Sequence, residues 1–314
     1  MSILPTKILL ATDGSKDAEL ATKAAIELAN ATGSELHVVY VGEFGPLPRA
    51  PLVRSESKLG QIAQRLTRRT RSVLGERIAL IAAAGGGVSG EHARVGRPAQ
   101  EIVALAQEIE AGLIVMGSRG RGGVRRALMG SVSDSVVRHA HCPVLVVRGG
   151  ESGRALLLSK KLLLATDGSE DAILAARTAA GLAQQMGSEL HAVYVPPRIA
   201  PHRPGYYVGP EVVEQAGRKE REGLEREAQR LLDLQAEEVR GAGGNVARAH
   251  LRVGTPDEEI VKLAEELGVG LIVMGSRGQG GVRRALLGSV SDSVVRHAHC
   301  PVLVVRDQHE RKEG

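Results

Sequence analysis

Two doubly wound α/β domains in one chain are what this sequence predicts, each a five-stranded parallel sheet flanked by four helices. Three observations carry the prediction. Short apolar runs alternate with segments whose apolar residues recur at helical spacing, and strands this apolar belong in a sheet covered on both faces. The chain also repeats itself: 7–15 (KILLATDGS) returns as 161–169 (KLLLATDGS) and 35–41 (ELHVVYV) as 189–195 (ELHAVYV), both at an offset of 154, while 113–148 returns as 271–306 at an offset of 158. Within that last stretch only Arg121 and Met129 change, to Gln279 and Leu287. Thirdly, each half places a glycine-rich loop between an apolar strand and a helix start. A period this long means duplicated domains rather than a solenoid, and 314 residues suit two domains at about 100–200 residues each. The expected boundaries are 1–148 and 160–306, with a linker at 149–159 containing Gly149, Gly150 and Gly153, and a polar tail at 307–314.

Within one copy the elements follow in order. Residues 7–12 read as a strand and 17–31 as an amphipathic helix with Ala18, Ala21, Ala25 and Leu28 inward. A strand at 36–41 precedes a long helix within 54–83. A short strand at 92–95 leads to a helix at 98–110 with Pro98 in its first turn, where proline's missing N–H costs nothing. In the second copy Thr255-Pro256-Asp257-Glu258 reads as a capping box. An apolar strand at 113–116 ends at Gly117. Gly130-Ser131 opens a helix with Val132, Val136, Val137 and Ala140 at helical spacing, Cys142-Pro143 closes it, and 144–147 is the last buried strand. The second copy holds four extra residues before Arg252-Val253-Gly254, the counterpart of Arg94-Val95-Gly96.

Composition limits the function classes. No Trp, one Phe and four Tyr leave few rings for stacking on bases, which argues against nucleic acid as a partner. The net charge of +5 is uneven: residues 1–154 hold 20 Lys and Arg against 14 Asp and Glu (+6), and residues 155–314 hold 21 against 22 (−1). Arg65, Arg68, Arg69 and Arg71 cluster in the first half as a solvated helix face. No signal peptide and no membrane-length apolar run stand out, so a cytoplasmic protein without a membrane partner is expected. Cys142 and Cys300 occupy equivalent places before a proline and read as buried thiols. In His139-Ala140-His141-Cys142 and its repeat at 297–300, histidine at a helix end suits the dipole better than a four-ligand metal site, and no protein-built metal site is expected.

Strand, glycine loop, helix start is an arrangement that binds phosphate. The first N–H groups of a helix lack partners within it, and its dipole places positive charge there. Gly117, Gly120, Gly122, Gly123 and Gly130 are expected to let the backbone take φ > 0 and approach an anion, with hydroxyls added by Ser131 and Ser133. A polyphosphate is expected between Gly117-Ser118-Arg119-Gly120 and Gly130-Ser131, and between Gly275-Ser276-Arg277-Gly278 and Gly288-Ser289. In doubly wound sheets ligands bind beyond the C-terminal strand ends. Asp13, just after the first strand, faces the same end. It is read either as a ligand for a ribose hydroxyl or a phosphate-bound metal, or as an N-cap of the next helix. The Pro/Gly segments 43–54 and 196–210 are lids, interface elements or ordinary surface loops.

These residues resemble the universal stress protein family. Its nucleotide motif (Gly, two residues, Gly, nine residues, Gly, then Ser or Thr) is matched by Gly117, Gly120, Gly130 and Ser131, and again by Gly275, Gly278, Gly288 and Ser289. Asp13 and Asp167 match the early aspartate in an A-T-D-G-S context. The resemblance covers nearly all of both halves. It implies strand order 3-2-1-4-5 and ATP between strands one and four, with Mg2+ bound through the phosphates. Val41 and Val195 would meet adenine through their backbones. Asp13 and Asp167 would lie near the nucleoside, preceded by Ala11-Thr12 and Ala165-Thr166. Met116-Gly117-Ser118-Arg119-Gly120 and Gly130-Ser131-Val132-Ser133 would wrap ribose and phosphates, as would Met274-Gly275-Ser276-Arg277-Gly278 and Gly288-Ser289-Val290-Ser291. It also implies that the two halves pair through their last strands (144–147 and 302–305) as a pseudo-dimer, with a further homodimer open. The role implied is a nucleotide-responsive stress-adaptation module whose downstream protein partner the sequence does not reveal. Two rivals stand beside it. A slow ATPase or phosphotransferase is one, although no Walker A signature and no placed general base are present. A thiol redox module using Cys142 and Cys300 is the other.

Overall fold

The structure, a computed structural model, describes residues 5–43, 56–120, 129–149, 160–196, 210–279 and 287–307. Gly122 and Gly123, the loop segments 44–54 and 197–209, linker residues 150–159 and tail residues 308–314 lie outside these. The chain forms two compact units, Met1–Leu158 with His299–Gly314, and Ser159–Ala298. Among the described residues no helix is long and apolar enough to cross a membrane.

The first unit runs β1 (Lys7–Ala11), α1 (Lys16–Thr32), β2 (Glu35–Gly42), α2 (Glu56–Ala83), β3 (Gly90–Val95), α3 (Pro98–Glu108), β4 (Leu113–Gly117), α4 (Ser131–His139) and β5 (Val144–Val147). Its strands pair in the order β3-β2-β1-β4-β5, all parallel. β1 is central: Ile8 faces Leu36 on one side and Leu113 on the other. Burial on both faces explains the continuous apolar run, and Ile8, Leu9 and Leu10 are fully buried. Ala18, Ala21, Ala25 and Leu28 turn inward as expected, and their small size lets α1 lie close over β1 and β4. Arg65, Arg68, Arg69 and Arg71 are exposed on α2.

The unit also contains β10 (Val302–Val305), which pairs antiparallel with β5, Val302 facing Val146 and Val304 facing Val144. Arg306 follows it with its guanidinium buried. Nη1 donates to the Ala140 carbonyl at 2.6 Å, and Nη2 donates to that of Val137. These are terminal carbonyls of α4, so a cation from the far end of the chain satisfies acceptors that the helix itself leaves open.

The second unit runs β6 (Lys161–Ala165), α5 (Glu170–Met186), β7 (Glu189–Tyr194), α6 (Pro210–Gly241), β8 (Val246–Leu251), α7 (Pro256–Leu267), β9 (Leu271–Gly275) and α8 (Ser289–His297). Its strands pair in parallel in the order β8-β7-β6-β9, with a register shift between Leu190 and His191.

Three local expectations are corrected. β3 begins at Gly90 rather than 92, because pairing with β2 already starts at His37 opposite Gly90. α3 stops at Glu108 rather than 110: Glu110 takes φ 53°, and the chain turns so that the Gly112 N–H reaches the Lys7 carbonyl. The capping box at 255–258 does not form, since Thr255 makes no side-chain cap bond. Asp257, Glu258 and Glu259 instead place negative charge against the positive end of α7, and Asp257 accepts the Ser293 hydroxyl.

Parallel pairing produces one cross-strand cluster twice. His37 on β2 stacks on His92 of β3 with ring centroids 5.3 Å apart and Nδ1 to Nε2 at 3.0 Å, while Glu35 Oε2 lies 3.4 Å from His37 Nε2. His191 and His250 repeat the 5.3 Å and 3.0 Å separations, with Glu189 Oε1 3.3 Å away. Burial pushes the pKa of His92 below the ordinary histidine value, His37 and Arg94 push the same way, and Glu108 partly opposes. For His250 burial again leads, followed by His191, Arg248 and Arg252 against Glu266. A histidine with a lowered folded pKa takes up protons more readily when unfolded. Stability is therefore complete above the ordinary value of 6.5 and is lost as pH falls below it. The thermal unfolding midpoint is expected to drop between about pH 7 and about pH 5, and the drop to shrink in a His92→Gln/His250→Gln variant. A pH profile unchanged by those substitutions would contradict this.

Candidate functional site

The site begins where β1 ends. Its backbone leaves the sheet after Thr12, whose N–H still bonds the Val39 carbonyl at 3.1 Å. Asp13 Oδ1 then accepts the Ser15 N–H at 2.9 Å across Gly14, which takes φ +75° as such a turn requires. The N-cap of α1 is Ser15: its Oγ accepts the Ala18 N–H at 3.3 Å and donates to the Arg119 carbonyl at 2.9 Å. Asp13 therefore holds the turn and leaves capping to Ser15. The second half repeats this with Asp167 to Ser169 at 3.1 Å, Gly168 at φ +79°, and Ser169 to the Arg277 carbonyl at 3.1 Å.

β4 supplies the facing loop. A Cβ on Gly117 would lie 2.7 Å from the Asp17 carbonyl carbon and 2.8 Å from the Ala18 nitrogen, and one on Gly275 would lie 2.9 Å and 3.0 Å from the equivalent atoms. Glycine is required here by the approach of a neighbouring backbone. The expectation of positive φ fails at Gly117, Gly120 and Gly130, none of which adopts it. At Gly120 the neighbour is a side chain, a Cβ there falling 2.7 Å from Asp13 Oδ2. In the second half the Gln279 N–H donates to Asp167 Oδ2 at 2.9 Å and Gln279 Nε2 to the Asp167 carbonyl at 2.6 Å.

α4 begins directly opposite. The Gly130 N–H donates to the Ser118 carbonyl at 2.8 Å, and the Asp134 N–H closes the first turn onto the Gly130 carbonyl at 2.9 Å. The N–H groups of Ser131, Val132 and Ser133 have no carbonyl within their own helix. α8 starts identically, with Gly288 to Ser276 at 2.8 Å and Asp292 to Gly288 at 2.9 Å. The serine hydroxyls divide. Ser131 and Ser289 are exposed, whereas Ser133 is buried with Oγ donating to the Ser118 carbonyl at 2.7 Å, and Ser291 donates to that of Gly275 at 2.8 Å. The buried hydroxyls tie the helix to the strand end.

A cleft of about 520 Å³ opens between these parts in the first unit, and one of about 440 Å³ in the second. Ala11, Thr12 and Asp13, then Val41, then Met116, Gly117, Arg119 and Gly120, then Gly130 to Ser133 all line the first. Ala165, Thr166, Asp167, Val195, Met274, Gly275, Arg277, Gly278 and Gly288 to Ser291 line the second. Ser118 and Ser276 do not. Both are buried, and their hydroxyls donate to Asp17 Oδ2 at 2.8 Å and Asp171 Oδ2 at 2.7 Å.

Those two aspartates, buried at 7% and 5% exposure, are what sequence reasoning missed. Asp17 Oδ2 also accepts Arg119 Nε at 3.2 Å, and Asp171 Oδ2 accepts the Arg277 backbone N–H at 3.1 Å and its Nε at 3.5 Å. An acid in the first turn of a helix reads as a dipole partner. The available signal was its recurrence at the same offset in both halves. Pro98 and Ile102 of α3, and Pro256 and Ile260 of α7, also line the clefts unforeseen. The thiols lie elsewhere: Cys142 and Cys300 are buried, and burial pushes the Cys142 thiol up to about 12, against the thiolate form that redox chemistry uses.

The family model described as "Universal stress protein family" matches residues 5–148 and 159–306. A universal stress protein of Methanocaldococcus jannaschii is 35% identical over 165 residues, covering 51% of this chain and 87% of that protein. One from Mycobacterium tuberculosis strain H37Rv is 34% identical over 211 residues, 67% of this chain and 66% of that one. The crystal structure of a universal stress protein from Archaeoglobus fulgidus superposes with a TM-score of 0.67 at 26% identity, covering 96% of this chain and 98% of that chain.

The backbone contact at Gly117 is directly testable. Gly117→Val forces α1 off the end of β4 and is expected to lower the unfolding free energy by about 1–3 kcal/mol, read from urea denaturation. Gly87→Ala, between α2 and β3, where a Cβ meets nothing within 4 Å and φ is not positive, controls for loss of glycine without crowding.

Proposed function

Because the chain belongs to the universal stress protein family, we propose that it binds ATP in each of its two clefts and works as a nucleotide-responsive regulatory module. One observation carries the reading: in both halves the open N–H groups of a helix start, the Gly117–Gly120 or Gly275–Gly278 turn, and an aspartate after the first strand converge on one cleft. The donor chemistry fits a polyphosphate. Backbone N–H groups and the positive end of a helix dipole favour anions, and Arg119 or Arg277 adds a guanidinium at the same wall. Volumes of about 520 and 440 Å³ lie within the usual range for small-molecule sites.

In this reading Ser131, Val132 and Ser133 hold phosphate through their backbones, and Val41 meets the adenine edge through its own. Asp13 serves the ribose hydroxyls or a Mg2+ carried by the phosphates. Ala11 and Met116 form an apolar floor beside Thr12. The second cleft uses Ser289, Val290, Ser291, Val195, Asp167, Ala165, Thr166 and Met274 in the same parts. Ser118 and Ser276 act from behind the wall.

Calorimetry on the full chain tests the proposal, with two nucleotides bound per chain expected. Side chains at Gly130 and Gly288 would press on the Ser118 and Ser276 carbonyls, 3.3 Å from each Cβ position, and part the two walls. A Gly130→Val/Gly288→Val variant is expected to lose at least about tenfold in ATP affinity, roughly 1.4 kcal/mol, while keeping its helical circular dichroism. Undiminished affinity would overturn the assignment.

A further inference from the structure

The two missed aspartates form, with their partners, the same arrangement twice. In each half a buried carboxylate on the first turn of α1 or α5 reaches under the loop that follows β4 or β9. It accepts the Ser118 or Ser276 hydroxyl and the Nε of Arg119 or Arg277. The arginine side chains are partly exposed, at 37% and 25%, against 9% and 6% for the aspartates, and both arginines line the clefts. A buried carboxylate that meets a cleft-lining guanidinium from behind fixes which way that guanidinium faces. Bonding through Nε orients the planar fork, whose geometry matches phosphate oxygens.

We propose that Asp17 and Asp171 are positioning residues that hold Arg119 and Arg277 toward the charged tail of the ligand, so that each cleft selects phosphorylated nucleotides over the bare nucleoside. This rests on the nucleotide reading above and adds the group that discriminates by charge. A long arginine side chain loses much rotamer freedom when it grips an anion. The aspartate removes that freedom before the ligand arrives, and the gain is felt only by ligands that carry phosphate. The serine hydroxyl occupies the same carboxylate oxygen as the arginine, so the loop backbone and the guanidinium are located together.

The test compares ATP with adenosine on the full chain by calorimetry. In Asp17→Asn/Asp171→Asn, ATP affinity is expected to fall roughly tenfold while adenosine affinity stays within about twofold. Arg119→Gln/Arg277→Gln, which alters partly exposed groups, is expected to show the same selective loss even if the aspartate variant folds poorly. Combining all four substitutions is expected to cost little more than either pair, because both remove one coupled interaction. Equal losses for ATP and adenosine in the arginine variant would mean a purely structural role and would overturn the proposal, as would unchanged ATP affinity or additive losses. Wild-type protein that binds neither ligand would instead overturn the nucleotide reading itself.

Discussion

A missing methylene group governs the geometry of both clefts. The last residue of β4 and of β9 is glycine, and the first turn of α1 or of α5 lies where a side chain would begin. Only with that contact can the buried aspartate of the helix reach the serine and arginine that follow the strand. The same contact sets the serine N-cap of the helix against the arginine carbonyl, so turn, helix and loop become one rigid wall. Core interiors tolerate little volume change, and here the close contact is between backbones, which have no rotamers to yield.

The alternation of strands and helices was open to reading because every central strand is buried on both faces and stays apolar along its length. The candidate site was open for a different reason: glycines, serines and an aspartate at strand ends are local signals. What escaped depended on pairs distant in the chain. Asp17 acquires its meaning from Ser118 and Arg119, 101 and 102 residues away. The histidine pairs exist only because parallel register brings positions 55 and 59 residues apart into stacking distance. The glycines were recognised with the wrong reason attached. Sequence makes positive φ the default argument for glycine, whereas close approach by another backbone leaves no mark beside the residue itself.

The duplication separates what the site requires from what it tolerates. The turn after the first strand is flanked by the Arg77 guanidinium at Gly14 but by the Leu231 side chain at Gly168, a change from cation to hydrocarbon at equivalent positions. Met129 gives way to Leu287 at the cleft wall in the same manner. The bonds that the aspartate accepts from the serine hydroxyl and the arginine Nε recur in both halves, and so does the bond from the helix-start glycine to the loop carbonyl. Where two copies of one design drift apart in some contacts and keep others at nearly equal distances, the retained contacts are those that fix polar groups in place.

The strand that lies against β5 is made long after β5 itself. Arg306 reaches the Ala140 carbonyl across 166 residues of intervening chain, and Val302 to Val304 meet β5 over a similar span. A ribosome releases residues in order, so a nascent first half waits until the second half has been translated before its sheet gains that neighbour and its α4 helix gains that cation. Until then β5 is an open edge of valine and leucine, the kind of surface that recruits other strands. Joining the two halves in one polypeptide keeps the covering strand at a fixed, high local concentration, so closure depends on the search within a single chain and not on the abundance of the protein in the cell.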